Sequence, residues 1–311
     1  MPGFTVPRIA LGCGNFGGIG SAPAFFGGGL TTDQAFALMD AAWEAGLVHF
    51  DTADAYGGGR SEQAIGSWIR ARGVRPGLTT KVFNPMEAGA DQGLGPERIA
   101  RQLQSSLERL SVDRVDLYLA HDFDPAVPLA ETFGAFRAAQ AGGLIDAYGV
   151  SNFDVRQLMA ALAAGAPRAI QNSYSLLARE DERELLPLCA ERGVAFLAFS
   201  PLAGGWLTGK YRRGVPFPAG SRMTQRPEPY RDLVTGPVFA ALARLEAIAA
   251  DHGTSLGGLA LAWLLADDRV AQIVIGPGRP EHLTAVAEAL ANPVTTQERV
   301  TIEAALKEEQ P

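Results

Sequence analysis

Cysteine is nearly missing from this chain: Cys13 and Cys189 are the two present, far apart and outside any metal-ligand spacing. That excludes a disulfide framework and points to free thiols in a reducing compartment. Basic charge is also in deficit, with 27 Lys and Arg against 34 Asp and Glu, a net charge of −7 and no basic cluster. Nucleic acid and anionic membrane surfaces are therefore poor partners. No apolar run approaches membrane-spanning length, and no charged-then-apolar leader opens the sequence. A soluble, cytoplasmic protein is expected. Lysine is the scarcest cation, present at Lys81, Lys210 and Lys307, and histidine occurs four times. What the chain has in quantity is apolar residues, 47% of 311, enough for a large buried core.

Those apolar residues alternate between strand-like and helix-like runs. Strand candidates are Arg8–Leu11, the run ending at Asp51, Leu78–Val82, Val115–Ala120, Ala147–Val150, Ala169–Gln171, Val194–Phe199 and Ala271–Ile275. Between them lie helical periods, clearest where Ile99, Leu103, Leu107 and Leu110 follow Pro96. Other helices are expected near Thr32, after Ser61 as a cap, and over Asp154–Ala163, Glu182–Glu191, Ser255–Ala266 and Pro280–Leu290. Strands separated by helices pair in parallel through crossovers, and eight such units close as a (β/α)8 TIM barrel. No linker divides the chain, so one domain over 1–311 is expected. The formal G-x-G-x-x-G at Gly12–Gly17 is followed by glycines and a proline instead of a helix, and reads as a flexible loop. Gly204–Tyr211 approaches a P-loop and fails at Tyr211, where a hydroxyl for Mg²⁺ is needed. From about 203 to 236 the chain is rich in Gly, Pro and Arg and has no apolar period, a long loop.

Chemistry concentrates at strand ends. Asp51 ends the second strand, Lys81 the third and His121 the fourth, and Tyr56 follows on the loop after Asp51. Adjacent strands lie about 5 Å apart, so these side chains converge at one mouth. Taken singly, each has a plainer reading: a turn aspartate, a packed tyrosine, a solvated lysine, a structural histidine. Together they make a general acid for an oxygen gaining negative charge, with a cation beside the phenol, a carboxylate beside the cation and an imidazole to orient the substrate. A metal site needs more histidine and carboxylate ligands than this rim offers, and none is expected.

Asp51-Thr52-Ala53 with Tyr56-Gly57 and Ser61-Glu62, Thr80-Lys81, His121 with Asp124, and Ser151-Asn152 resemble the aldo-keto reductases. So do Gln171 with Tyr174, Ser200-Pro201-Leu202, and Leu207-Thr208-Gly209-Lys210-Tyr211. The resemblance implies reduction of an aldehyde or ketone with NADPH, NADH being the alternative. It implies Tyr56 as proton donor, Lys81 and Asp51 lowering its pKa, and His121 orienting the carbonyl. It further implies that Ser151, Asn152 and Gln171 hold the nicotinamide amide and that Phe199 stacks on the ring. Ser200, Leu202, Gly204 and Lys210 would meet the pyrophosphate. Gly14 and Asn15 on the first loop, and Gly276, Gly278, Arg279 and His282 after the last strand, complete the cofactor set. Arg279, His282, Arg222 or Arg226 would meet a 2′-phosphate. The family's Glu-Asn pair for adenine is replaced here by Thr284-Ala285-Val286. Phe16, Phe83 and Trp206 are the expected substrate contacts. The alternative implied by the family's potassium-channel β subunits is a cofactor-binding, redox-sensing regulatory subunit with little turnover.

Overall fold

The computed structural model describes residues 5–307; the ends of the expected 1–311 unit lie outside the described residues. Eight parallel strands close into a barrel in chain order. They are β1 (Ile9–Gly12), β2 (His49–Asp51), β3 (Gly77–Val82), β4 (Val115–Ala120), β5 (Ile145–Ser151), β6 (Ala169–Ser173), β7 (Ala195–Phe199) and β8 (Val270–Ile275). Ile9 pairs with Ile273 to close the ring, and the β7–β8 register shifts at Phe196/Leu197. Helices follow the strands and bury their apolar faces against the outside of the barrel. Helix Pro96–Leu110 does so with Ile99, Leu103, Leu107 and Leu110, the expected stripe. Among the described residues, no helix is long and apolar enough to cross a membrane.

A separate small cluster, Leu117, Leu119, Ala147, Ala169 and Leu197, fills the lumen. Gly149 is required beside it, because a Cβ there would stand 2.8 Å from Leu119 and 2.3 Å from the Ala169 carbonyl. Lys81 is register partner to Leu119 and Gln171 to Leu197. Register partners share a face of the sheet, so the polar residues near the strand ends point into the same lumen.

Three helices were not expected: Leu129–Ala141, Gly236–Asp251 and Thr296–Ala304. The first two are alanine-rich with weak apolar periods; the third is marked by a Thr295/Glu298 capping box. The 203–236 loop is not structureless. It holds 3-10 turns at Ala203–Thr208 and Glu228–Leu233 and a short helix at Arg222–Gln225. Such single turns carry no period to detect. Aromatic packing of Trp206, Tyr211 and Phe217 and a Tyr211 hydroxyl donating to the Gly204 carbonyl (3.2 Å) hold it. The loop after β1 is likewise tied, by backbone bonds such as Gly20 N–H to Gly14 O (2.6 Å) and Gly27 N–H to Gly17 O (2.9 Å).

Candidate active site

Lys81 is the centre of the mouth. Its side chain is wholly buried, and its three ammonium hydrogens have three acceptors. These are Asp51 Oδ1 at 2.6 Å, the Thr52 carbonyl at 2.8 Å and the Tyr56 hydroxyl oxygen at 3.4 Å. A guanidinium is too large and planar for that tripod, which accounts for lysine in an arginine-rich chain. Asp51 is held from the other side, since Gln171 Nε2 donates to Oδ2 at 2.7 Å across the lumen from β6.

Tyr56 reaches this centre on a turn that only glycine permits. Gly57, Gly58 and Gly59 have φ of 60°, 66° and 89°. A Cβ on Gly57 would also stand 2.8 Å from the Phe16 and Gly17 carbonyls. The expected Ser61 cap is not formed. The helix starts at Arg60 with Gly59 as its N-cap, and Ser61 Oγ instead donates to the Cys13 carbonyl (2.9 Å) within the first turn. That bond joins the Tyr56 turn to the β1 loop, an arrangement the local cap pattern does not encode.

Burial pushes the Tyr56 hydroxyl above the ordinary phenol value, outweighing the lowering by Lys81, while Asp51 acts in the same direction as burial. Lys81 lowers this pKa as expected, by its charge and its hydrogen bond. Asp51 acts the other way, which corrects that half of the expectation, and with burial the net shift is upward, so the phenol is held protonated. For Lys81, burial opposes the charge, but Asp51 and then Tyr56 push its pKa up, so it stays an ammonium. His121 is driven well below the ordinary imidazole value by burial and then by Lys81. It is therefore neutral, with its ring 5.5 Å from that of Tyr56, centroid to centroid.

Asn84, three residues past Lys81, was missed from the sequence. Its Nδ2 lies 3.2 Å from His121 Nδ1. An amide N–H at that position makes Nδ1 the acceptor and leaves the ring hydrogen on Nε2. The available signal was a polar residue on the loop just beyond a strand end.

Ser151, Asn152 and Gln171 join the same mouth. Ser151 Oγ donates to the Gln171 carbonyl (2.7 Å) and Asn152 Nδ2 to the His121 carbonyl (2.8 Å). Among the described residues, four non-glycine residues have left-handed backbone: Ser111, Asn152, Ser200 and Ala203. Three of these lie just past strand ends, Asn152 after β5, and Ser200 and Ala203 after β7. Phe199 is half-buried at the end of β7.

A second group lies past β7 and β8. The Lys210 amine is pushed down by desolvation and then by Arg222 and Arg279. His282 is pushed down by burial and by Arg279 and Lys210, and its Nδ1 accepts from the Gly278 N–H (3.2 Å). These like charges gathered together are poised for an anion. Gly204 and Gly205 make the cradle: a Cβ on Gly204 would stand 2.4 Å from the Tyr230 ring, and one on Gly205 2.3 Å from Lys210 Nζ. Tyr230, also missed, lies 3.2 Å from Ser200 Oγ by its hydroxyl. Leu202 is half-buried at the start of this turn, and Gly276 faces open space. Gly14 packs beneath the Tyr56 ring, 3.5 Å from where its Cβ would stand. Asn15 Nδ2 donates to the Pro277 carbonyl (2.9 Å), joining the loops after β1 and β8.

Of the three expected substrate contacts, Phe83 is half-buried near the mouth. Phe16 and Trp206 are corrected. Both are wholly buried in the main hydrophobic core, Trp206 against Tyr211, Phe217 and Phe239. Loop position alone did not show which aromatics turn inward.

The chain is similar to known proteins in sequence and fold. An uncharacterized oxidoreductase, YrpG, of Bacillus subtilis is 34% identical over 93% of this chain and 88% of its own. A probable voltage-gated potassium channel subunit beta of Oryza sativa is 32% identical over 85% of this chain and 84% of its own. The solved structure of a glycerol dehydrogenase from Gluconobacter oxydans superposes with a TM-score of 0.83 at 25% identity, covering 100% of this chain and 97% of that one. The model of the Aldo/keto reductase family matches residues 8–307. With its closed barrel and this match across nearly its whole length, the chain belongs to the aldo/keto reductase family.

Proposed function

We propose that this protein, acting as one cytoplasmic catalytic unit, reduces aldehydes or ketones to alcohols with NADPH, Tyr56 being the proton donor. The observation that carries the reading is the Lys81 tripod. Because the Tyr56 oxygen accepts from Lys81, its own hydrogen is free to point toward the mouth. Tyr56 gives that proton to the carbonyl oxygen as negative charge develops there. Lys81 then steadies the phenolate left behind, and Asp51 with Gln171 keeps Lys81 in place. Neutral His121, its tautomer set by Asn84, directs Nε2–H at the same oxygen.

A bound nicotinamide supplies the hydride to the carbonyl carbon. The residues present fit such a cofactor: a turn of left-handed glycines, Gly204 and Gly205, packed closely under Tyr230 and Lys210, and cations gathered where phosphates would lie. Ser151, Asn152 and Gln171 hold the amide, and Phe199 backs the ring. Ser200, Leu202, Gly204 and Lys210 take the pyrophosphate. Gly14, Asn15, Gly276 and Gly278 let the two loops close on it, and Arg279, with Arg222 and His282, takes the 2′-phosphate. Phe83 contributes an apolar wall for the substrate.

Two outcomes follow. Lys210→Met is expected to raise KM for both cofactors, while Arg279→Ala raises it for NADPH and leaves NADH within about twofold; a lost charged hydrogen bond costs roughly 1.5–3 kcal/mol, about tenfold to a hundredfold. Initial rates with both cofactors check this. Asn84→Ala is expected to lower kcat about tenfold with cofactor affinity unchanged, read from steady-state rates beside fluorescence titration of the cofactor.

The reading is tested by nicotinamide absorbance with a panel of aldehydes and ketones. Carbonyl-dependent loss supports it. The rice channel-subunit relative favours a second reading, a regulatory subunit that binds cofactor and turns over little; tight NADPH binding with no carbonyl consumed would support that one.

A further inference from the structure

Behind the Tyr56 turn lies a buried polar group that this chemistry leaves unused. Asp54, two residues before Tyr56, is wholly buried. Its N–H donates to the Lys81 carbonyl (3.0 Å), and its Oδ1 accepts from the Ala55 N–H (2.6 Å). Its Oδ2 has no partner among the described residues. Facing it are Glu62 from helix Arg60–Arg72, Arg98 and Arg109 from helix Pro96–Leu110, and Tyr118 from β4. Neither arginine pairs with it. Arg109 Nε donates to Glu62 Oε2 at 2.7 Å. Arg98 donates to the carbonyls of Asn84 (2.8 Å) and Gly93 (3.1 Å) and faces Asp91 at 3.5 Å. The Tyr118 hydroxyl and Arg98 Nε are also buried without a hydrogen-bond partner among the described residues. An ionised Asp54 would thus sit wholly buried, near another carboxylate and without a cation hydrogen-bonded to it, which favours the neutral acid.

We propose that Asp54 is a positioning residue that carries its proton at neutral pH and holds the Tyr56 turn against Lys81 only in that neutral form. The segment it anchors is the one that donates to the Lys81 carbonyl and supplies the Thr52 carbonyl to the Lys81 ammonium. An ionised carboxylate there keeps the Ala55 N–H at Oδ1 as its one donor, has none at Oδ2, and moves toward water, taking Ala53–Tyr56 with it. Burial first, and Glu62 second, push this carboxyl up to about 8, whereas Tyr56 lies above the ordinary phenol value. The two proton losses therefore fall in separate pH windows. The consequence for turnover rests on the reduction chemistry proposed above.

The test is kcat for carbonyl reduction from pH 6 to 10 in the full-length wild type, Asp54→Asn and Glu62→Gln. Wild-type kcat is expected to fall about tenfold between pH 7 and pH 9, as one group ionising near 8 requires. Asp54→Asn keeps the neutral shape and moves the fall above pH 10. Glu62→Gln removes the charge that raises Asp54 and moves it to lower pH. An unchanged midpoint in Asp54→Asn overturns the proposal.

Melting temperature of the cofactor-free protein is a second measurement. A carboxyl raised from its ordinary value to about 8 binds more protons folded than unfolded between those limits, so stability falls as pH rises through that window. Wild type should lose melting temperature between pH 6 and 8, and Asp54→Asn should lose less. Equal slopes overturn the proposal whether or not carbonyls are consumed. Absence of turnover in every variant at every pH counts against reduction, and the melting slopes then decide for or against the Asp54 proton.

Discussion

Tyr56→Phe is expected to lower kcat for carbonyl reduction by roughly two to four orders of magnitude, the range for loss of a positioned general acid. Cofactor affinity should stay within about twofold. The substitution deletes one oxygen and leaves the ring's surroundings intact: His121 at 5.5 Å, Lys81 Nζ 5.0 Å from the centroid, and Gly14 beneath. Lys81 loses one of three acceptors, costing about 1 kcal/mol of stability. Single-turnover rates with prebound cofactor, beside a cofactor titration on the same samples, separate these effects. A variant that turns over normally but binds cofactor poorly would remove Tyr56 from the proton-donor role.

The second large effect is on stability. Lys81→Met leaves the Asp51 carboxylate in the lumen with the Gln171 amide at Oδ2 and no cation at Oδ1. Asp51→Asn leaves the wholly buried Lys81 ammonium without its carboxylate. Breaking a buried ion pair on one side costs about 3–5 kcal/mol, because the uncompensated charge remains. Each single variant should therefore melt roughly 10 °C lower. Asp51→Asn/Lys81→Met, which removes both charges, should recover most of that loss while remaining inactive. Strictly additive losses in this cycle would show that the two groups do not act as a pair.

How far these features could be read from the residues depended on what kind of pattern encodes them. The barrel was legible because crossover helices have apolar periods, as in Ile99–Leu110, and the strands between them are short apolar runs. The convergence of Asp51, Lys81 and His121 followed from strand ends alone, since register places them on one inward face. Tyr56, by contrast, reaches Lys81 through three left-handed glycines and a Ser61 bond to the β1 loop, which are tertiary facts. The net pKa of Tyr56 differs from the expectation for a related reason: Lys81 lowers it as expected, but a list of neighbouring charges omits burial, and burial dominates. Phe16 and Trp206 failed because a loop aromatic can face the mouth or the core, and spacing does not say which. Asn84, Tyr230 and Asp54 were invisible because their importance lies in partners, or missing partners, from other elements.

The most direct test of the central claim is the fate of label from cofactor deuterated at the transferable position, with wild type and Tyr56→Phe run on one carbonyl substrate. The expected result is an alcohol carrying one deuterium on the carbinol carbon from wild type, and almost none formed by the variant. Cofactor that binds but transfers no deuterium to any carbonyl tested, or equal transfer by both proteins, would contradict it.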